Sequence, residues 1–249
     1  MTIALETRNL RKQFGALTVA DGIDFRLERG ARHALIGPNG AGKTTFINLL
    51  TGGLRSNSGG IFLNGEEVTR LSQRARIRRG LGRTFQINTL FRSLTALDNV
   101  ALAVAERRGV AWNLIGRANR HADVVSESRD LLTSLGLAQD ADTRVSDLAY
   151  GKQRLVEIAI ALGMKPSVLL LDEPAAGVPT MESRRILEVL DSLPQDLAIL
   201  IIEHDMDLVF RFARQITVLS RGALLAQGTP DEISADHRVR EVYLGERDV

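Results

Sequence analysis

The 249-residue sequence contains no cysteine. Disulfides and thiolate-bound metals are excluded, and a reducing compartment is the natural setting. No run approaches the roughly 18 apolar residues that a membrane-spanning helix requires. Met1 to Arg11 carries charge too early, and too little apolar sequence, for a secretory signal, so none is expected. Lysine stands only at positions 12, 43, 152 and 165; the other basic residues are arginine. At a net charge of only +2, the arginines fit either an anionic partner or a solvated basic face. Aromatics make up 4% of the chain, and no stretch interleaves them with basic residues as single-strand nucleic-acid binders do. Repeats, low-complexity tracts and long linkers are missing as well. What remains, 44% hydrophobic and 25% charged, is ordinary globular composition, enough for one large domain or a core with a subdomain.

The most informative segment is Gly37-Pro38-Asn39-Gly40-Ala41-Gly42-Lys43-Thr44, which fits G-x-x-x-x-G-K-[ST]. Apolar Ala34 to Ile36 precedes it and helix-compatible Thr44 to Leu50, beginning Thr44-Thr45, follows. Glycines let the backbone curl so that several N–H groups face one anion. The following helix adds the positive end of its dipole. Lys43 is expected to reach the outer phosphates and the Thr44 hydroxyl to hold Mg²⁺.

Around this loop the patterning predicts short strands at Ile3 to Asn9 and Gly22 to Leu27, and Asn64-Gly65 is a hairpin signal. An antiparallel sheet is therefore expected to flank the nucleotide core. From about Leu90 to Leu148 the chain turns polar and helical in period, with helices at Ala96 to Arg108 and Asp123 to Leu135. Gly109 to Asn119, holding Trp112, reads as a loop. Strands return at Val168 to Leu171, Leu197 to Ile202 and Gln215 to Leu219. Helices at Gln153 to Met164, Glu182 to Leu193 and Met206 to Arg214 alternate with them. That alternation predicts an α/β fold with a mainly parallel sheet covered on both faces.

The apolar run Val168 to Leu171 delivers Asp172 and Glu173 to the carboxyl edge of such a sheet, where ligands bind. One acid suits Mg²⁺ and the other the attacking water. His204, beyond Leu197 to Ile202, emerges at the same edge; it is either a surface residue or a donor to the terminal phosphate. Gln86 is able to meet Mg²⁺ through its carbonyl oxygen. Leu148 to Gln153 opens a helix and forms a second potential anion site. Phe14 is either core or a platform for adenine.

In their order along the chain, Phe14, residues 37–44, Gln86, Leu148 to Lys152, Asp172-Glu173 and His204 resemble the ATP-binding subunits of ABC transporters. The resemblance implies one ATPase domain over 1–249, with a core at 1–87 and 156–249, an N-terminal antiparallel β-subdomain and a helical subdomain inserted at about 88–155. It also implies two ATP molecules with Mg²⁺ in a head-to-tail dimer, each P-loop facing Ala149-Tyr150-Gly151-Lys152 of the other chain. Glu173 becomes the hydrolytic base, His204 the switch histidine, and Gln86 the link between Mg²⁺ and a transmembrane permease. Thr44, Gln86 and Asp172 become the metal set. A peripheral place on the cytoplasmic face of the membrane follows, with no nucleic-acid partner.

Gly82 to Gln86, Leu90-Phe91, Leu148 to Gly151, Glu203 to Asp207 and Val242 to Gly245 resemble the importer ATPases for branched-chain amino acids and related small polar solutes. The lipopolysaccharide-export ATPase is the alternative among transporters, although Tyr150 and Glu203 to Asp207 argue against it. A soluble ATPase acting on nucleic acid or ribosomes is the alternative outside transport, but such proteins carry fused halves or coiled insertions that are absent here. A nucleotide-dependent interaction module without hydrolysis is the third. Three positions depart from the general family pattern: Ala149 in place of Ser, Lys152 in place of Gln or Glu, and Pro179 in place of Asp or Asn.

Overall fold

The computed structural model describes residues 2–84, 90–110 and 122–244. Among them the chain runs β1 (Ile3–Phe14), β2 (Leu17–Glu28), β3 (Arg32–Ile36), α1 (Lys43–Thr51), β4 (Ser58–Leu63), β5 (Glu66–Glu67), α2 (Gln73–Arg78) and β6 (Leu81–Arg83). Helices α3 (Ala96–Arg107), α4 (Ala122–Ser134) and α5 (Tyr150–Gly163) follow, with 3-10 turns at Ala138–Asp140 and Val145–Asp147 before α5. Then come β7 (Val168–Asp172), α6 (Thr180–Ser192), β8 (Ala198–Ile202), α7 (Met206–Phe212), β9 (Gln215–Ser220), β10 (Ala223–Gly228), α8 (Pro230–Ala235) and α9 (His237–Leu244). Two compact units divide the chain: Met1–Leu81, Ser167–Glu173 and Leu193–Val249 form one, and Gly82–Pro166 with Pro174–Ser192 the other.

The first unit carries an antiparallel sheet of order β2-β1-β4-β5 and a sheet of order β10-β9-β3-β8-β7-β6. In the second sheet β3 runs parallel to β8 and β9, and β7 runs parallel to β8, so the class is α/β with a mainly parallel sheet. Every residue of β3 and β8 is buried. That is why Ala198-Ile-Leu-Ile-Ile is apolar throughout rather than alternating. The α1 side chains Phe46, Ile47, Leu49 and Leu50 join this core, and Phe25 meets Phe46 edge to face at 5.6 Å.

The flanking strands are longer than the sequence suggests. Asn9 and Gly22 read as breakers, yet β1 and β2 continue for 12 residues each. The register slips between Thr7 and Leu10, where Asn9 (φ 45°) and Gly22 (φ 64°) take left-handed backbone. They form a bulge, and pairing resumes beyond it. Asn64 (φ 51°) and Gly65 (φ 82°) make the expected hairpin turn between β4 and β5. Helix α2 and strands β6 and β10 have no counterpart in the sequence reading.

His33 lies inside this core, 2% exposed, with Nε2 paired to the Thr217 hydroxyl at 2.8 Å. Burial lowers its pKa from 6.5 to about 4. Between those values the unfolded chain binds a proton on this imidazole and the folded chain does not. Stability therefore falls as pH drops through that window, by up to about 3 kcal/mol at 1.36 kcal/mol per pKa unit. Urea unfolding at pH 7 and pH 4.5 checks this: His33→Gln should flatten the decline, and an unchanged decline in the variant refutes the assignment.

In the second unit, Thr95 opens α3 with a capping box, exchanging hydrogen bonds with Asp98. Glu127 on α4 ties three cations together: Arg107 at 2.6 Å, Arg108 at 2.6 Å and Lys165 at 3.2 Å. Burial works to raise its pKa, but the hydrogen bonds from these cations hold the carboxyl down at about 2.

Candidate functional site

The sheet register brings the sequence-derived residues of the first unit to one edge. Leu35 on β3 pairs with Ile202 on β8, and Ile202 pairs with Asp172 on β7. The three strands therefore end level with one another. Residues 37–44, Glu203-His204 and Asp172-Glu173 leave the sheet side by side, within about 10 Å across two strand spacings. Sequence adjacency links none of these segments.

The loop itself is shaped for an anion. Gly40 (φ 76°) and Gly42 (φ 101°) are left-handed, and a Cβ at Gly42 would stand 2.8 Å from the Val19 carbonyl oxygen. Only glycine fits there. Gly42 is also the N-cap of α1, with no side-chain cap and no acid in the first turn. The starting N–H groups of α1 are left to an external acceptor, as a phosphate cradle requires. Lys43 Nζ reaches back over the loop to the Gly37 and Pro38 carbonyl oxygens. Thr44 is exposed and Thr45 half-buried beside it.

Glu173 takes a left-handed backbone (φ 47°), a strained conformation for a residue with a Cβ. Its N–H donates to the Ile202 carbonyl at 2.9 Å, which closes the strand and turns the carboxylate out of the sheet. His204 Nδ1 lies 3.6 Å from Glu173 Oε1, with both side chains open to solvent. Asp205 fixes the backbone next to His204, because its carboxylate accepts from the N–H groups of Asp207 and Leu208 and caps α7. Phe14 is exposed, not core, and Lys12 Nζ stands 4.9 Å over its ring.

The sequence model of the family described as ABC transporter matches residues 20–176. The chain belongs to this family. A second model, described as branched-chain amino acid ATP-binding cassette transporter, matches residues 223–249. The high-affinity branched-chain amino acid transport ATP-binding protein BraF of Pseudomonas aeruginosa is 37% identical, over 97% of this chain and 98% of its own. LivG of Escherichia coli, with the same description, is 35% identical over 97% and 98%. Among solved structures, an ATP-binding cassette of an ABC transporter in its ADP conformation gives a TM-score of 0.87 at 28% identity, covering 98% of this chain and 100% of that one. A nucleotide-free cassette gives 0.85 at 27% identity, covering 97% and 98%.

In this ABC ATPase the second candidate anion site, Leu148 to Gln153, lies in the second unit. Ala149 is the N-cap of α5 and supplies no side-chain hydrogen bond, so the helix start is again uncapped. Tyr150 is exposed, with the Arg154 guanidinium 5.3 Å from its ring centre and donating to its hydroxyl at 3.2 Å. Arg154 in turn donates to Glu157 at 3.1 Å, and burial pushes that carboxyl up to about 7 against the pull of Arg154. Lys152 is not simply solvated: it donates to Asp140 at 2.8 Å. Pro179 immediately precedes α6, its carbonyl accepting from the N–H groups of Glu182 and Ser183. No sequence pattern announces Glu182, yet a Cβ on Gly151 would collide with its carboxylate.

Of the remaining expectations, Gln86 and Trp112 lie outside the described residues. Leu90 is buried, whereas Phe91 is 59% exposed and Leu94 is exposed as well. Buried Asn99 holds Phe91 in place, accepting from its N–H at 2.9 Å and donating to its carbonyl at 3.1 Å. No helix among the described residues is long and apolar enough to cross a membrane.

Proposed function

We propose that this ABC ATPase is the ATP-hydrolysing subunit of an importer for branched-chain amino acids or a related small polar solute. One observation carries the chemistry: the P-loop, Asp172-Glu173 and His204 leave three adjacent strands at one level. The solute class is supported by BraF and LivG, similar from end to end, and by the C-terminal match. The phosphates of ATP rest on residues 37–44, including Pro38, Asn39 and Ala41, with Lys43 and Thr45 beside them. Phe14 stacks on adenine. Thr44, Asp172 and Gln86 would hold Mg²⁺, which would supply charge to offset that developing on the transferred phosphoryl group. A hydroxyl, a carboxylate and an amide carbonyl are oxygen donors that would suit this hard ion. Glu173 orients the attacking water, and His204 donates to the terminal phosphate.

The uncapped start of α5, Ala149 to Lys152, meets the terminal phosphate held by a second ATPase subunit, identical or paralogous. The helical subdomain at about 88–155 meets the permease subunits, which places the protein at the cytoplasmic face of the membrane. Phe91 is the anchor of that contact: a large aromatic, held outward by Asn99, is the kind of residue on which interface energy concentrates. Co-purification from membranes tests the reading. The wild-type chain should bring down membrane permease subunits, and Phe91→Ala should weaken that capture by more than tenfold while ATPase activity of the isolated chain stays within twofold. Capture of ribosomes or RNA in place of permeases rejects the importer reading.

A further inference from the structure

The first unit has a second polar concavity, unconnected with the nucleotide. It is an open hollow of about 630 Å³ between the α1–β4 turn and the segment leading into α2. Its lining is Arg55, Ser56, Asn57, Ser58, Gly59, Thr69 and Arg70. Arg55 and Arg70 are exposed and form no hydrogen bond or ion pair with any described residue; nor do the hydroxyls of Ser56 and Ser58. Two guanidinium forks and two hydroxyls facing one hollow form a donor set without an acceptor. Of the acids that flank the hollow in sequence, Glu66 pairs with Arg79 at 2.8 Å and Glu67 accepts from the Thr69 hydroxyl at 2.9 Å; neither bonds Arg55 or Arg70.

The chemistry such a hollow takes is a phosphate monoanion or diester, which matches the planar fork of arginine. The lining also discriminates among sources. It contains no apolar side chain, so a protein partner would find no anchor for the desolvated centre that stable interfaces need. It contains no aromatic ring, so single-stranded nucleic acid would find nothing to stack on. A headgroup phosphate needs neither. We propose that the Arg55–Arg70 hollow is a docking site for the phosphate headgroup of an anionic membrane lipid. The choice of lipid over free phosphate rests on the importer reading above, which puts the protein at a membrane surface. An anionic leaflet attracts the two exposed arginines of the hollow with an energy that adds per arginine.

Co-sedimentation of the purified full-length chain with vesicles tests this. Wild type should bind vesicles of phosphatidylglycerol and not those of phosphatidylcholine. The double variant Arg55→Ala/Arg70→Ala should bind phosphatidylglycerol about thirty-fold more weakly, from the usual contribution of two arginines near an anionic surface. A control of equal charge change, Arg211→Ala/Arg214→Ala, should lose less than threefold. Single Arg55→Gln and Arg70→Gln variants should each lose about fivefold, and they keep the test valid if the double variant misfolds. Equal losses in the double variant and the control overturn the proposal, as does binding to both lipids or to neither. Abolition of vesicle binding by inorganic phosphate, at an ionic strength where chloride has no effect, assigns the hollow to free phosphate and overturns the lipid. The importer reading stands or falls separately, on permease capture and ATP turnover, since neither arginine touches the nucleotide loop.

Discussion

Glu173→Gln should lower kcat for ATP by about 10³-fold, the middle of the range for loss of a positioned base, while the Kd for ATP stays within about twofold of wild type. The split follows from where the side chain sits. The loop proposed to hold the phosphates, residues 37–44, lies at the end of β3, and Glu173 follows β7, two strands away. The carboxylate is open to solvent and 3.6 Å from His204, so it is placed for a water and not for a phosphate it would repel. Glutamine keeps the volume and the left-handed backbone but cannot take a proton. An interaction made only in the transition state shows as a loss of kcat without loss of ground-state binding. Single-turnover hydrolysis together with equilibrium binding of a fluorescent ATP analogue reads both quantities. Turnover at the wild-type rate removes Glu173 from the role of base, and a parallel loss of ATP affinity would make the residue part of the binding site instead.

Much of this site was legible in the sequence because its parts are contiguous. A glycine loop between an apolar strand and a helix, and an apolar run ending in two acids, each state their own chemistry locally. The register that joins them, Leu35 to Ile202 to Asp172, is non-local, but strand–helix alternation implied a parallel sheet and so a shared carboxyl edge. What escaped the sequence has physical causes of the same kind. Asn9 and Gly22 are breakers by residue type, and only their meeting across two strands turns them into a bulge. Helix α2 lies in Gln73-Arg-Ala-Arg-Ile-Arg, where no apolar stripe signals a helix, because the residue it buries deepest is an arginine. Lys152 reads as free to meet phosphate until the turn at Ala138–Asp140 brings Asp140 to it. Phe14, left open between core and adenine platform by its residue type, is exposed because β1 carries it to the lip of a turn.

That buried arginine carries a large expected effect on stability. Arg76 is 2% exposed, and its guanidinium donates to the carbonyl oxygens of Leu49 and Leu50 at 2.6 Å each, Thr69 at 2.8 Å and Leu71 at 3.2 Å. Leu49 and Leu50 belong to the last turn of α1, at the negative end of its dipole, where the Leu49 carbonyl also accepts from the Gly52 N–H at 3.2 Å. Gly52 ends α1 in a left-handed conformation, and Arg76 packs against it so closely that a Cβ there would lie 3.0 Å from Nε. Burial lowers the Arg76 pKa to about 10, so the side chain is still charged at neutral pH. Arg76→Ala would strand buried carbonyls and open a cavity at once. The expected loss is about 3–5 kcal/mol in urea unfolding at pH 7. Arg76→Lys should recover less than half of it, because a single ammonium cannot reproduce a planar fork serving four acceptors. A loss below about 1 kcal/mol for the alanine variant would mean that water replaces the guanidinium without penalty. The helix that begins at the phosphate loop would then owe its anchoring to its apolar face alone, through Phe46, Ile47, Leu49 and Leu50.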